Sequence, residues 1–178
     1  MKAVRNAMAA IALFAAGYAA AGPDDPSAFD GSRYAAQKAV YDFNFETPED
    51  LKGALGTVRN HLKAIQDFGD PQGSRIVIVA HGNEIHALSR LNRAAFPEVY
   101  DTLKDLAAAG VKITLCRNAG TARGYKVGDF YDLVKVVPSA VIEIPKWESE
   151  GYAYIYLNGY PRMLRDDVIS RHSKLRAN

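Results

Sequence analysis

Among 178 residues the chain has one cysteine, Cys116. A disulfide within one chain, or a redox cycle with its own resolving thiol, is therefore excluded. Zinc spacing is missing too. The four histidines His61, His81, His86 and His172 form no usual pattern with the lone cysteine, and His81 and His86 are not at the spacing that shares a helical face. There is no G-x-G-x-x-G and no G-K-S or G-K-T, so no cofactor is expected, neither a nucleotide nor a metal. No apolar run reaches the roughly 20 residues of a spanning helix, so stable membrane insertion is not expected either.

What the chain does have begins at its first residues. Met1 to Asn6 carries Lys2 and Arg5 with no acid, Ala7 to Ala16 is apolar, and Ala19-Ala20-Ala21 closes the segment. This is the layout of a secretory signal peptide cut after Ala21, which predicts an exported protein, periplasmic or secreted. Without it, Lys and Arg fall from 22 to 20 against 20 Asp and Glu. A neutral chain is not built for broad binding to nucleic acid or anionic lipid. Export also sharpens the question of Cys116. A lone thiol in an oxidising compartment is buried and inert, paired between chains, or reactive.

Residues 22–33, with Pro23, Pro26 and three aspartates, read as a flexible leader. An α/β domain is expected over 34–158. Lys38 to Phe45 alternates, with Ala39, Tyr41, Phe43 and Phe45 on one face of a strand. Thr47 is a candidate helix cap, followed by Pro48, Glu49 and Asp50, and Leu51, Leu55, Val58, Leu62 and Ile65 form one helical stripe. Arg75 to Ala80 is a continuous β-branched run suited to a strand buried on both faces. A short helical piece, Ala87 to Leu91, and a helix over Pro97 to Ala109 follow, the latter stopped by Gly110. Val111 to Leu115 is a strand leading into Cys116, Asn118 to Tyr125 a loop or short helix, and Val134 to Val137 a strand. Ala140 to Glu150 is a helix and Tyr152 to Leu157 the last strand. Alternation of this kind predicts one α/β domain on a mostly parallel sheet of about five strands. The tail, 159–178, is locally basic and reads as a solvated end.

Open α/β sheets bind ligands at the carboxyl ends of their strands. Two polar turns fall there, His81-Gly82-Asn83-Glu84-Ile85-His86 and Cys116-Arg117-Asn118-Ala119-Gly120-Thr121-Ala122-Arg123-Gly124. If the two strands are neighbours, His81 and Cys116 occupy equivalent positions. A strand-end cysteine opening a helix or turn faces free backbone N–H groups that stabilise a thiolate, and Arg117 or Arg123 adds positive charge. Cys116, His81 and an acid such as Glu84 or Asp129 also supply the residue types of a cysteine hydrolase. Each polar residue equally has a plain structural role: Asn118 as a cap, Arg123 in an ion pair, His81 in a turn.

The stretches V-I-V-A-H-G (Val77 to Gly82), G-V-K-I-T-L-C-R-N (Gly110 to Asn118), A-R-G (Ala122 to Gly124) and V-V-P-S-A-V-I-E with E-G-Y-A-Y-I (Val136 to Ile155) resemble the DsrE/DsrF-like, or YchN-like, family. The resemblance implies a flavodoxin-like three-layer α/β sandwich assembled as a homotrimer or homohexamer. It implies a sulfur relay in which Cys116 carries sulfane sulfur as a persulfide. His81, Asn83, Arg117, Asn118 and Arg123 would hold the thiolate or an anionic sulfur species. The partner is then a small sulfur species or a thiol-bearing protein. The alternative of another class is a non-catalytic exported binding or scaffold module. An exposed Tyr152-Tyr154-Tyr156 face would mark a subunit interface.

Overall fold

A strand apolar on both faces needs cover on both, and the order of the strands provides it. The computed structural model describes residues 22–157 and 163–172. The expected signal peptide, residues 1–21, lies outside the described residues, as do tail residues Arg162, Lys174 and Arg176. The chain divides after Ser32 into two compact units. In the first, residues 22–32 contain one turn, closed by Asp25 N–H on the Gly22 carbonyl (3.1 Å), and no helix or strand. The second unit carries the sheet.

Its strands are β1 (Lys38–Phe43), β2 (Arg75–Ala80), β3 (Lys112–Cys116), β4 (Lys135–Val137) and β5 (Ala153–Tyr156). They form one sheet in the order β4-β3-β2-β1-β5, with every pairing parallel. The helices are α1 (Asp50–Phe68), α2 (Val99–Ala108), α3 (Arg117–Ala122), α4 (Ala140–Ser149) and α5 (Arg165–Arg171). From β1 to β4 each connection steps to the next strand in the same direction. Right-handed crossovers then put α1, α2 and α3 on one face. The β4-to-β5 connection travels back across three strands, which puts α4 on the other. Tyr41, Phe43, Ile76, Ile78, Ile113 and Leu115 bury against the first layer. Val40, Val77, Val79 and Cys116 bury against Ala140 and Trp147 of α4. The result is the flavodoxin-like three-layer α/β sandwich that the resemblance implies.

Most elements lie within a residue or two of their expected positions, and the departures have local causes. α1 begins at Asp50, not after Thr47, because the Asp50 carboxylate reaches back to the Thr47 N–H (3.1 Å) and hydroxyl (2.8 Å) and holds 47–49 as a turn. In place of one helical piece at Ala87 to Leu91 there are two 3-10 turns, Asn83–His86 just before it and Arg90–Asn92 overlapping its end. Ser89 separates them: its hydroxyl donates to the Asp129 carbonyl (2.9 Å) and accepts from the Leu91 N–H (3.3 Å). Gly110, Gly124 and Gly151 end α2, α3 and α4 with positive φ, where a side chain is disfavoured. No described helix is long and apolar enough to cross a membrane.

The carboxyl end of β2 is tightly built. His81 N–H continues the ladder onto the Phe43 carbonyl (2.9 Å) and Asn83 N–H onto that of Phe45 (2.8 Å). Between them Gly82 passes so close to β1 that an added Cβ would stand 2.4 Å from both the Phe45 nitrogen and Glu84 Oε2. Gly82→Ala is therefore expected to destabilise the protein by about 1–3 kcal/mol, as overpacking does. Gly53→Ala, in open space on α1, should stabilise by up to about 1 kcal/mol. Urea midpoints of the two variants beside the native protein check both signs.

Candidate functional site

β1 presents alternate residues to alternate faces, so Asp42 points away from the Tyr41 and Phe43 layer, toward the α4 side. Its neighbours in the sheet are Val79 of β2 and Tyr156 of β5. Both oxygens of its carboxylate are engaged. His81 Nε2 lies 2.6 Å from Oδ1, and the Tyr154 hydroxyl donates to Oδ2, also at 2.6 Å. Three strands thus each contribute a residue to one hydrogen-bonded chain. The Asp42 side chain is largely buried and that of His81 about a quarter exposed. No described group other than Asp42 bonds the imidazole, so Nδ1 carries no protein partner among the described residues.

Cys116 ends β3 on the same face. β2 and β3 pair up to Ala80 opposite Leu115, so His81 and Cys116 each follow the last fully apolar position of neighbouring strands and, by alternation, face the same side of the sheet; no hydrogen bond joins the two among the described residues. On its other side Cys116 pairs with Val137 of β4. α3 leaves β3 toward one face and α4 leaves β4 toward the other, which makes this the topological switch point of the sheet, where such folds open a crevice. Cys116 caps α3, its Sγ accepting from the Ala119 N–H at 3.4 Å. It is 5% exposed and belongs to the buried cluster that Val40, Val77 and Val79 form with Ala140 and Trp147 of α4.

The remaining expected residues divide into two groups. Arg117 and Asn118 are exposed on the first turn of α3, with no side-chain hydrogen bond among the described residues. Arg123 and Asn83 hold each other: Arg123 Nε donates to Asn83 Oδ1 (3.0 Å) and its NH1 to the Ala119 carbonyl (3.2 Å), while Asn83 Nδ2 donates to the Glu46 carbonyl (2.6 Å). This pair ties the β2 turn to the end of α3. The acids suggested for a hydrolase lie elsewhere in the hydrogen-bond network. Glu84 is fully buried and accepts from the backbone of Phe45 (2.9 Å) and Gly82 (2.8 Å), and Asp129 accepts from the Lys126 N–H (2.8 Å). The carboxylate on His81 is Asp42, which no motif in the sequence marks. Only the polar position on an otherwise apolar strand, Asp42 in A-V-Y-D-F, could have signalled it.

The family description "DsrE/DsrF-like family" matches residues 32–157, which spans the entire sheet. The chain belongs to the DsrE/DsrF-like family. A solved structure titled as a protein of unknown function, MTH1491 from Methanobacterium thermoautotrophicum, is similar at 25% identity with a TM-score of 0.57. The match covers 68% of this chain and 99% of that one. No curated protein matches the chain.

In this DsrE/DsrF-like chain the electrostatics centre on Asp42. Burial alone would raise its carboxyl, but hydrogen bonds from His81 and Tyr154, joined by the charge of His81 whenever that ring is protonated, outweigh it and hold the group below the usual carboxylate range. An ionised carboxylate only accepts, so His81 Nε2 carries the hydrogen of their bond. Tyr154 shows the reciprocal effect. Its hydrogen bond to Asp42, then burial and the Asp42 charge, push the phenol up to about 12. Tyr41, on the opposite face, is pushed up to about 12 by burial. Burial likewise raises Glu84, against the pull of the backbone N–H groups around it.

These shifts fix how stability varies with pH. Unfolded Tyr41 ionises near pH about 10 and folded Tyr41 near about 12. Between the two, the unfolded chain has released a proton that the folded one keeps, so the contribution is full below about 10 and is lost as pH rises toward about 12. Asp42 works in the opposite sense: its contribution is present above the ordinary carboxylate value and is lost as pH falls through its lower folded value. Urea midpoints should fall in both directions, less steeply at the alkaline end in Tyr41→Phe and at the acid end in Asp42→Asn. A tyrosinate absorbance titration should show a late-ionising group that loses one member in Tyr154→Phe.

Proposed function

We propose that this protein is an exported sulfur carrier of the DsrE/DsrF-like family, taking sulfane sulfur as a persulfide on Cys116 and passing it to an acceptor. One observation carries the reading: the lone cysteine ends β3 at the switch point of the sheet, and His81 follows the end of the neighbouring strand β2 on the same face. Cys116 attacks the outer sulfur of a donor persulfide R–S–SH. The Cys116 S–S bond forms as the donor S–S bond breaks, and the products are Cys116–S–SH and R–SH. Atoms and electrons balance, no oxidant is consumed, and the reverse reaction on an acceptor thiol unloads the sulfur. No second thiol is needed, in keeping with a chain that has one cysteine.

The N-terminal layout supports export, and with it a role in handling polysulfide, thiosulfate or sulfide outside the cytoplasm. Self-assembly into a homotrimer or homohexamer is part of the same proposal. It is supported by apolar side chains in the open, with Val141 and Ile142 of α4 and Tyr154 and Tyr156 of β5 all more than two-fifths exposed. A second reading, a non-catalytic binding or scaffold module, is favoured by the burial of Cys116.

Intact-mass spectrometry after incubation with polysulfide separates the two. The carrier gains the mass of sulfur, reductant removes it, and Cys116→Ser gains none. A native thiol that takes no sulfur and alkylates only after unfolding would leave the binding module as the function.

A further inference from the structure

The sulfur-transfer step needs a place for a proton. The Cys116 thiol must lose one to attack, and the departing R–S⁻ must gain one. His81 is the only histidine at this end of the described sheet on the Cys116 face, and its ring is held in a defined way. Asp42 takes the Nε2 hydrogen and Tyr154 holds the far oxygen of Asp42, so the carboxylate cannot turn away to solvent. The unpartnered nitrogen of the neutral ring is then Nδ1, with its lone pair free.

We propose that Asp42 and Tyr154 are positioning residues that fix His81 with Nδ1 as the proton acceptor for Cys116. The proposal rests on the same site as the carrier reading. In the forward step the Cys116 Sγ proton moves to Nδ1, the thiolate forms its bond to the sulfane sulfur, and the donor S–S bond breaks. The proton on Nδ1 then passes to the departing thiolate, leaving His81 neutral as it began. The pattern is that of a carboxylate orienting an imidazole beside a nucleophile, with a phenol holding the carboxylate from behind.

The arrangement also accounts for a cost the fold accepts. Asp42 is a charged group on a strand otherwise buried through Phe43, and it is tolerated because two charge-assisted hydrogen bonds replace water. Packing alone would be served by an aliphatic residue at that position. Around the cluster, the other ionisable groups are Tyr156 on β5 and Glu148 on α4, whose charges reach Tyr154, and Cys116 on β3.

The test uses the full mature chain and reads the thiol directly. Iodoacetamide alkylation of native Cys116 is followed across pH in the native protein, Asp42→Asn and Tyr154→Phe, with circular dichroism to show that each is folded. Asp42→Asn should slow alkylation at neutral pH roughly tenfold or more and shift its pH profile. Tyr154→Phe, on a half-exposed residue expected to fold normally, should slow it a few-fold. Imidazole ¹⁵N NMR should find His81 as the Nε2–H tautomer in the native protein and a changed tautomer balance in Asp42→Asn. An unchanged rate and profile in both folded variants, a native thiol that does not alkylate, or an Nδ1–H tautomer in the native protein would overturn the proposal. Polysulfide loading of the same samples keeps the two ideas apart. Asp42-dependent alkylation without sulfur uptake would leave the positioning role standing and remove the carrier function, whereas equal sulfur uptake in Asp42→Asn would do the reverse.

Discussion

The arrangement at the carboxyl edge depends on the register of three parallel strands. Side chains alternate across a sheet with period two, so a one-residue slip sends every one of them to the opposite face. With Asp42 opposite Val79 and Ala80 opposite Leu115, Asp42, His81 and Cys116 share the α4 side. A slip of β3 by one residue would drive the Cys116 thiol into the layer of Phe43, Ile78 and Leu115. The apolar residues hold the register: Val40, Val77 and Val79 fit under α4 only when Tyr41, Ile78 and Leu115 meet α1 and α2. The packing that stabilises the domain is thus also what aligns the polar residues.

The same constraint explains how a carboxylate can lie within this sheet. β5 reaches Asp42 only because the chain crosses back over three strands after β4, and it brings Tyr154 from 112 positions away. That single crossover places α4 on the second face, covers Cys116 through Ala140, opens the switch point between β3 and β4, and supplies the second hydrogen bond to Asp42. Gly82 and the buried Glu84 secure the adjoining turn. Glu84 collects N–H groups of Phe45 and Gly82 that would otherwise be unsatisfied where the β1 and β2 ladder ends.

How much of this is legible in the sequence follows from which interactions are local. R-I-V-I-V-A announces a strand buried on both faces, and Leu51, Leu55, Val58 and Ile65 announce a helix with one buried stripe, because each depends on periodicity within a few residues. The strand-end positions of His81 and Cys116 could be read for the same reason. Strand order is not local, so the adjacency of β2 and β3 could be stated only as a condition, and Asp42 was invisible. In A-V-Y-D-F-N-F it falls on the polar side of an alternating strand, where an acid ordinarily faces water. Only the placement of β5 turns that side into a half-buried, hydrogen-bonded one. Arg123 shows the same limit: its charge near Cys116 can be read from the sequence, but the bond to Asn83 by which it ties the β2 turn to the end of α3 joins residues 40 positions apart and has no local signal.

The burial of Cys116 bears on what kind of sulfur chemistry the site could support. At 5% exposure the thiol is not presented at the surface of the chain, so disulfide pairing between chains is disfavoured. A persulfide formed there would be shielded under α4 from the oxidants that carry exposed thiols up the sulfenic and sulfinic ladder. The same shielding filters donors by size. A chain of a few sulfur atoms needs less opening to reach a thiol packed under α4 than a donor protein, which must extend a flexible segment to it. Burial therefore does not oppose a carrier role: on that reading it favours small inorganic donors, and the proton that a buried thiol cannot hand to water needs an acceptor within the protein, the part proposed for His81.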